Sequence, residues 1–310
     1  MPLASMTEVI GPAGAAGRGV GAFNVIGIEH AEAIVTGAEL AGAPAVLQIS
    51  ENCVAYHGAL EPIAAACLAL ARSAAVPVAV HLDHVASAEL VRSAGHVGIG
   101  SVMFDASSLP YQENVRVTAD VTEWCHGRGI WVEAELGEIG GKNGVHSPTA
   151  RTDPGEAAEY VAATGVDALA VAIGSSHAML TRDAVLDLAL IASIRRAVSV
   201  PLVLHGSSGV PDRDLAAAVE AGMTKINIAT QLNKVFTGAV REYLSAQPAV
   251  VDPRRYGAAG RDAVASEVAR LLDLLGAGRI VQGETVGPRE LAVGTDATAG
   301  GAGEPLSSVE

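Results

Sequence analysis

Three histidines stand where short apolar runs end. Val76–Val80 leads into His81-Leu82-Asp83-His84, Ala168–Ile173 leads into Gly174-Ser175-Ser176-His177, and Pro201–Leu204 leads into His205-Gly206-Ser207-Ser208-Gly209. A lone histidine in such a place is most often a hydrogen-bonded core or loop residue. Three at equivalent ends of three strands suit one task, provided those ends meet. Convergent imidazoles with an open fourth position make a catalytic Zn2+ site, whereas hard Mg2+ prefers oxygen ligands. Asp83, beside His84, is placed to be a ligand, an orienter of a ligand or a proton donor and acceptor. Asp105 and Glu135 close two further apolar runs, either as strand-end caps or as members of the same acidic rim. His81 lies two residues earlier and is expected to be a hydrogen-bonded wall residue. His30, His57, His96, His126 and His146 fit no such pattern and are expected on the surface or in loops.

A second chemistry follows His205. Gly206, Ser207, Ser208 and Gly209 form a loop of small residues that opens toward a helix near Pro211. Such a loop lets backbone N–H groups approach an anion, and the helix start adds partial positive charge. The run Asn227-Ile228-Ala229-Thr230 precedes another helical stretch. If these are the seventh and eighth strands of a barrel, their loops form the recurrent phosphate site of that fold.

The elements needed to bring these residues together are legible. Apolar strand-like runs occur at 21–25, 45–50, 78–83, 101–105, 130–136, 168–174, 201–206 and 224–228, with helical stretches such as 29–42, 60–74, 111–127, 155–164, 183–197 and 211–221 between them. Repeated strand–helix alternation means parallel strands joined by crossover helices. Eight such strands point to an α/β fold, the (β/α)8 TIM barrel, whose strand ends converge on one mouth. Pro62, Pro154 and Pro211 suit first helical turns, and Gly165 and Gly222 suit helix stops. Residues 231–247 and 261–276 read as further helices. The expectation is a single barrel domain over residues 1–280 with C-terminal helices, followed by a disordered tail over 281–310, which is rich in Gly, Ala, Thr and Ser.

Composition narrows the partners. Half of the 310 residues are hydrophobic but only 3% are aromatic, so the core is built from small and branched side chains. The net charge of −14 and the absence of a basic stripe argue against a nucleic-acid surface. An anionic ligand would have to be held by backbone N–H groups and a metal. Cys53, Cys67 and Cys125 form no C-x-x-C pair, which suits reduced thiols in a cytoplasmic protein. No secretory signal and no uninterrupted apolar span are expected.

The motifs AFNV, HLDH, ELGEIGG, AIGSSH, LHGSSG, KINIAT and DPRRY follow one another along residues 18–275. In this succession the chain resembles the class II, metal-dependent ketose-bisphosphate aldolases, which include fructose- and tagatose-bisphosphate aldolases. The resemblance implies that His84, His177 and His205 bind Zn2+ or another divalent transition metal, with Glu135 and Asp105 at acidic positions nearby. It implies that Asp83 is the acid/base at the aldehyde oxygen. Gly206, Ser207, Ser208 and the run Asn227, Ile228, Ala229, Thr230 would hold a phosphate, often beside a monovalent cation such as Na+ or K+. Asn24 and Ser50 match positions lining the substrate pocket. Arg254 matches an arginine that reaches a neighbouring subunit's substrate, in a homodimer or homotetramer. The implied activity is reversible cleavage of a ketose 1,6-bisphosphate, fructose 1,6-bisphosphate first, to dihydroxyacetone phosphate and glyceraldehyde 3-phosphate in glycolysis or related carbohydrate metabolism.

Two positions depart from the family pattern. Asn143, in Gly140-Gly141-Lys142-Asn143-Gly144, stands where the mobile loop usually carries a carboxylate that moves a proton at the nucleophilic carbon. Asparagine is no general base at neutral pH, so either Glu138 substitutes or the proton takes another route. Ala178 stands where a glycine usually follows the strand-six histidine; it keeps the N–H and adds a methyl to the phosphate pocket. The sequence also admits two rival readings: a metal-dependent sugar-phosphate epimerase or isomerase, and a sugar-phosphate-binding protein that has lost activity on the same scaffold.

Overall fold

The computed structural model describes residues 3–136, 151–176, 179 and 181–277. In chain order the elements are α1 (Met6–Ala15), β1 (Val20–Asn24), α2 (Ile28–Ala41), β2 (Ala45–Ser50), α3 (Glu51–His57), α4 (Glu61–Ser73) and β3 (Val78–Val85). They continue with α5 (Ala88–Val97), β4 (Ser101–Phe104), α6 (Tyr111–His126), β5 (Trp131–Glu135), α7 (Pro154–Thr164), β6 (Ala168–Ala170) and α8 (Leu188–Ala197). The last are β7 (Leu202–Leu204), α9 (Asp212–Ala221), β8 (Met223–Ile228), α10 (Thr230–Ala246) and α11 (Pro253–Leu274). All eight strands are parallel, each pairs with the next, and β8 closes on β1 with Val20 opposite Lys225. The expected (β/α)8 barrel is therefore the observed fold.

Strands of a closed parallel barrel are covered on both faces, so they read as near-continuous apolar runs rather than as alternating ones. Their outward side chains, among them Val78, Val80 and Leu82 of β3, join one large cluster with the surrounding helices. Two smaller clusters are separate from it. Val20, Ala22, Val46 and Ala79 pack on Met6, Val9, Ile10 and Ala13, so α1 plugs the N-terminal end of the barrel. Met103, Ala168, Ala170, Ala172 and Val203 form the other.

Helix ends follow the sequence signals with one change. Asp153 caps α7 by accepting from the N–H groups of Gly155 and Glu156, with Pro154 in the first turn. Gly165 stops that helix in the left-handed conformation. Pro211 is not inside the first turn of α9 but is its N-cap, so the helix begins one residue later than the proline pattern suggests. Strands β6 and β7 end at Ala170 and Leu204, short of the expected 174 and 206, because the chain leaves the ladder to build loops; Gly174 adopts φ 110° and Gly206 φ 67°. Helices α1, α3 and α5 lie outside the stretches singled out from sequence. They are short, and α1 carries Pro12 while α3 has only seven residues.

His30 departs from the sequence expectation. Expected at the surface or in a loop, it is buried in α2 and stacks on Phe236 of α10 with ring centroids 4.7 Å apart. His57, His96 and His126 are exposed as expected. His146, the loop 137–150 and the expected tail 281–310 lie outside the described residues. All three cysteines are buried and free, and burial pushes the Cys67 thiol up to about 12 and the Cys125 thiol up to about 11. Among the described residues no single helix is long and apolar enough to cross a membrane.

Candidate active site

Neighbouring residues of a strand point to opposite faces, so Asp83 and His84 would ordinarily diverge. The backbone prevents this. The β3–β4 register shifts between Leu82 and Val85, and His84 adopts φ 51°, the left-handed region that side chains other than glycine rarely enter. Holding a non-glycine residue there costs about 1–2 kcal/mol, and such strain gathers at functional sites. Its effect here is geometric. Single ligand atoms of Asp83, His84 and His205 all lie within 4.8 Å of one another, as do those of His84, Asp105 and Glu135. The end of β3 and the residue just after β7, two strands that are not neighbours, thus bring imidazoles to one point at the C-terminal mouth, with their rings 4.6 Å apart edge to face.

Each imidazole is held from behind. His84 Nδ1 lies 2.9 Å from Asp105 Oδ2. Asp105 in turn accepts from the Ser107 hydroxyl at 2.6 Å and the Ser107 N–H at 3.2 Å, and its own N–H continues the ladder to Val85 O. With Nδ1 engaged by Asp105, Nε2 is the His84 nitrogen that could serve as a ligand. His205 Nε2 lies 3.0 Å from Glu133 Oε1, while its Nδ1 lies 3.7 Å from Glu135 Oε2. Nitrogen and carboxylate donors converging at strand ends suit a divalent transition metal. Buried Asp83 Oδ1 has no hydrogen-bond partner among the described residues, as expected of an oxygen kept for an ion or a substrate.

Asp83 is 2% exposed. Asn24 Nδ2 donates to its Oδ2 at 3.3 Å, and Gln48 Nε2 donates to Asn24 Oδ1 at 3.1 Å. Burial pushes the Asp83 carboxyl up, but His84, Lys225, His205 and the Asn24 hydrogen bond outweigh it, and the net displacement is downward. Ser50, opposite Asp83 in the β2–β3 register, caps α3 by accepting from Cys53 N–H at 3.2 Å.

The residues that follow β7 and end β8 also gather. Gly206 has φ 67°, and a Cβ there would lie 2.5 Å from the carbonyl oxygen of Ser176, so only glycine fits. Ser207–Gly209 form a 3-10 turn against β8, with the Ser207 hydroxyl donating to Asn227 O and Ser208 Oγ accepting from Gln231 N–H at 3.2 Å. Asn227 ends β8 with Ile228, Ala229 is the N-cap of α10, and Thr230 is its first residue. The turn and the α10 N-terminus thus face one region, as an anion cradle requires.

Arg254 does not join this cluster within one chain; it sits exposed on the first turn of α11, where Asp252 accepts from its guanidinium at 2.8 Å. His177, Ala178, Glu138 and Asn143 lie outside the described residues. His81 is the wall residue expected, fully buried with Nδ1 2.6 Å from Ser101 Oγ. Sequence reasoning missed Gln48 and Glu133. The signal for Glu133 was present, since Glu133 and Glu135 are two apart in one strand and share a face. Lys225 is no free amine for covalent catalysis: fully buried, it donates to Asn227 Oδ1 at 2.8 Å and sits 2.8 Å from Glu133 Oε2.

The family model described as "Fructose-bisphosphate aldolase class-II" matches residues 4–279. A protein from Geobacillus stearothermophilus named fructose-bisphosphate aldolase is 40% identical over 272 residues, spanning 86% of this chain and 95% of that one. Among solved structures, the YdjI aldolase from Escherichia coli K12 superposes with a TM-score of 0.79 at 33% identity, covering 89% of this chain and 98% of its own. A putative fructose-1,6-bisphosphate aldolase from Coccidioides immitis superposes with a TM-score of 0.78 at 26% identity, over 89% and 97% of the two chains. Barrel, rim and relatives agree: the chain belongs to the class II fructose-bisphosphate aldolases, metal-dependent lyases that act on sugar phosphates.

Proposed function

We propose that this chain is a Zn2+-dependent aldolase that reversibly cleaves fructose 1,6-bisphosphate to dihydroxyacetone phosphate and glyceraldehyde 3-phosphate. The observation that carries the reading is the meeting of Asp83, His84 and His205 at the mouth, next to the small-residue turn Gly206–Gly209. His84 and His205 would hold the ion, with His177 as the third ligand and Glu135 and Asp105 offering a neighbouring position. The ion, when bound, supplies Lewis-acid polarisation of the ketose carbonyl.

The chain's own groups do the rest. Gly206, Ser207, Ser208 and the Asn227–Thr230 run would grip the phosphate of the dihydroxyacetone phosphate half, with room for a monovalent cation beside it. Asp83, ionised and steadied by Asn24, would take the proton from the substrate hydroxyl during cleavage and return it to the aldehyde oxygen during condensation. Its position fits this role because it lies at the mouth beside His84 and His205 while one hydrogen bond, from Asn24, holds Oδ2 and leaves Oδ1 for the substrate. Glu138 would move the proton at the nucleophilic carbon in place of the carboxylate missing at 143. Asn24 and Ser50 would line the sugar-chain side of the pocket, and Arg254, exposed on α11, would reach a partner's substrate in a homodimer or homotetramer. A cytoplasmic location fits the three free thiols.

The name of the Geobacillus relative supports fructose bisphosphate among the ketoses. The test is product analysis with purified protein on fructose and tagatose 1,6-bisphosphates. Two triose phosphates formed faster from the fructose isomer support the reading; preference for the tagatose isomer, or a single rearranged sugar, overturns it.

A further inference from the structure

Inward positions of an α/β barrel are normally filled by branched apolar side chains. Beneath the active-site rim, one layer here is charged. Glu133 of β5 and Lys225 of β8 are both fully buried, and their charged atoms lie 2.8 Å apart. Removing two such charges from water is expensive, and a buried pair of this kind is commonly replaceable by apolar side chains without loss of stability. Stability therefore gives the pair little purpose, whereas its geometry gives it one.

Glu133 uses its two oxygens differently. Oε2 meets the Lys225 ammonium, and Oε1 lies 3.0 Å from His205 Nε2. A carboxylate accepts hydrogen bonds and cannot donate them. The imidazole must then carry its proton on Nε2, which leaves the Nδ1 lone pair on the side of Glu135, 3.7 Å away, where the donors converge. Lys225 also donates to Asn227 Oδ1 at 2.8 Å, so the same ammonium braces the β7 histidine and the phosphate-side strand end.

We propose that Glu133, anchored by Lys225, is a positioning residue that fixes His205 as the Nε2–H tautomer and presents Nδ1 to the divalent ion. The proposal rests on the metal-centre reading above and assigns a role to two residues that do not touch substrate.

The test uses full-length protein stripped by a chelator and titrated with Co2+ against a chromophoric competitor, with thermal unfolding recorded for every apoprotein. Glu133→Gln keeps the shape and one acceptor oxygen; Glu133→Leu removes the acceptor. Loss of such an outer partner should weaken Co2+ binding about 10- to 100-fold in Glu133→Leu, with a smaller loss in Glu133→Gln. If Glu133→Leu does not fold, Glu133→Leu/Lys225→Met, which replaces the whole pair by apolar side chains, takes its place. Imidazole nitrogen NMR shifts of His205 in the wild-type apoprotein, assigned by the signal lost in His205→Gln, should report the Nε2–H tautomer. A folded variant without Glu133 that binds Co2+ as tightly as wild type, or a His205 ring protonated on Nδ1, overturns the positioning role alone. Wild-type protein that binds no Co2+ overturns the metal centre and this role with it.

Discussion

Asp105 Oδ2 sits 2.9 Å from His84 Nδ1, joining the ends of β4 and β3 at the one described non-glycine residue with positive φ. The carboxylate compensates for the strained backbone by fixing the ring that the strain turns toward the mouth. Asp105→Ala should therefore lower metal affinity about 10- to 100-fold with little effect on the unfolding temperature. Competition titration with a chelator checks this; unchanged affinity would make Asp105 a capping residue for Ser107.

Asp83 should separate chemistry from metal binding. Asp83→Ala is expected to cut kcat by about 10²–10⁴ while metal content per subunit stays near that of the wild type. Metal analysis beside steady-state kinetics distinguishes the outcomes. Equal loss of both would make Asp83 a ligand rather than the acid/base.

Gly206→Ala should harm both fold and phosphate binding. Its φ of 67° and the Ser176 carbonyl oxygen 2.5 Å from the added Cβ leave no place for a side chain. Left-handed strain alone is about 1–2 kcal/mol, so the melting temperature should drop and KM should rise more than kcat falls. A wild-type KM in this variant would show that the turn does not contact substrate.

The end of β5 has its own support. Tyr160 donates to Asn114 Oδ1 at 2.8 Å, and Asn114 Nδ2 donates to the carbonyl oxygens of Glu135 and Leu136. Thr118 Oγ1 also donates to Asn114 Oδ1, at 3.0 Å, so Tyr160→Phe removes one of two donors and should cost about 0.5–1.5 kcal/mol in chemical denaturation. No change in stability would mean that the hydroxyl is redundant.

The barrel was legible because parallel strands covered on both faces appear as apolar runs at regular spacing, and His84 and His205 stand at the ends of two of them. Local geometry was not. The turn of His84 into left-handed backbone depends on the β3–β4 register shift, which no single-strand pattern encodes. The face that Glu133 shares with Glu135 was legible, but its partners were not, because only closure of the barrel sets it beside His205 and Lys225. His30 looked like a surface residue until α10 and α11 folded back over α2 to cover it.

Asp212 supplies a pH-dependent tie between elements. Burial raises its carboxyl, but hydrogen bonds from Arg182 and Arg270 lower it further, and the net displacement is downward. A folded carboxyl held below its unfolded value, about 3.9, contributes stability above that pH and loses it as pH falls through the folded value. Asp212→Asn should thus flatten the acid limb of the stability curve below about pH 4 and leave the neutral and alkaline limbs parallel to wild type. Superimposable acid limbs would contradict the tie.

The proposed aldol cleavage depends on one divalent ion held by His84 and His205, at the ends of β3 and β7. The most direct measurement of that dependence is cleavage of fructose 1,6-bisphosphate by chelator-stripped protein during a stepwise Zn2+ titration. Activity should sit at background without metal and recover until it saturates near one ion per subunit. Full cleavage by metal-free protein would contradict it.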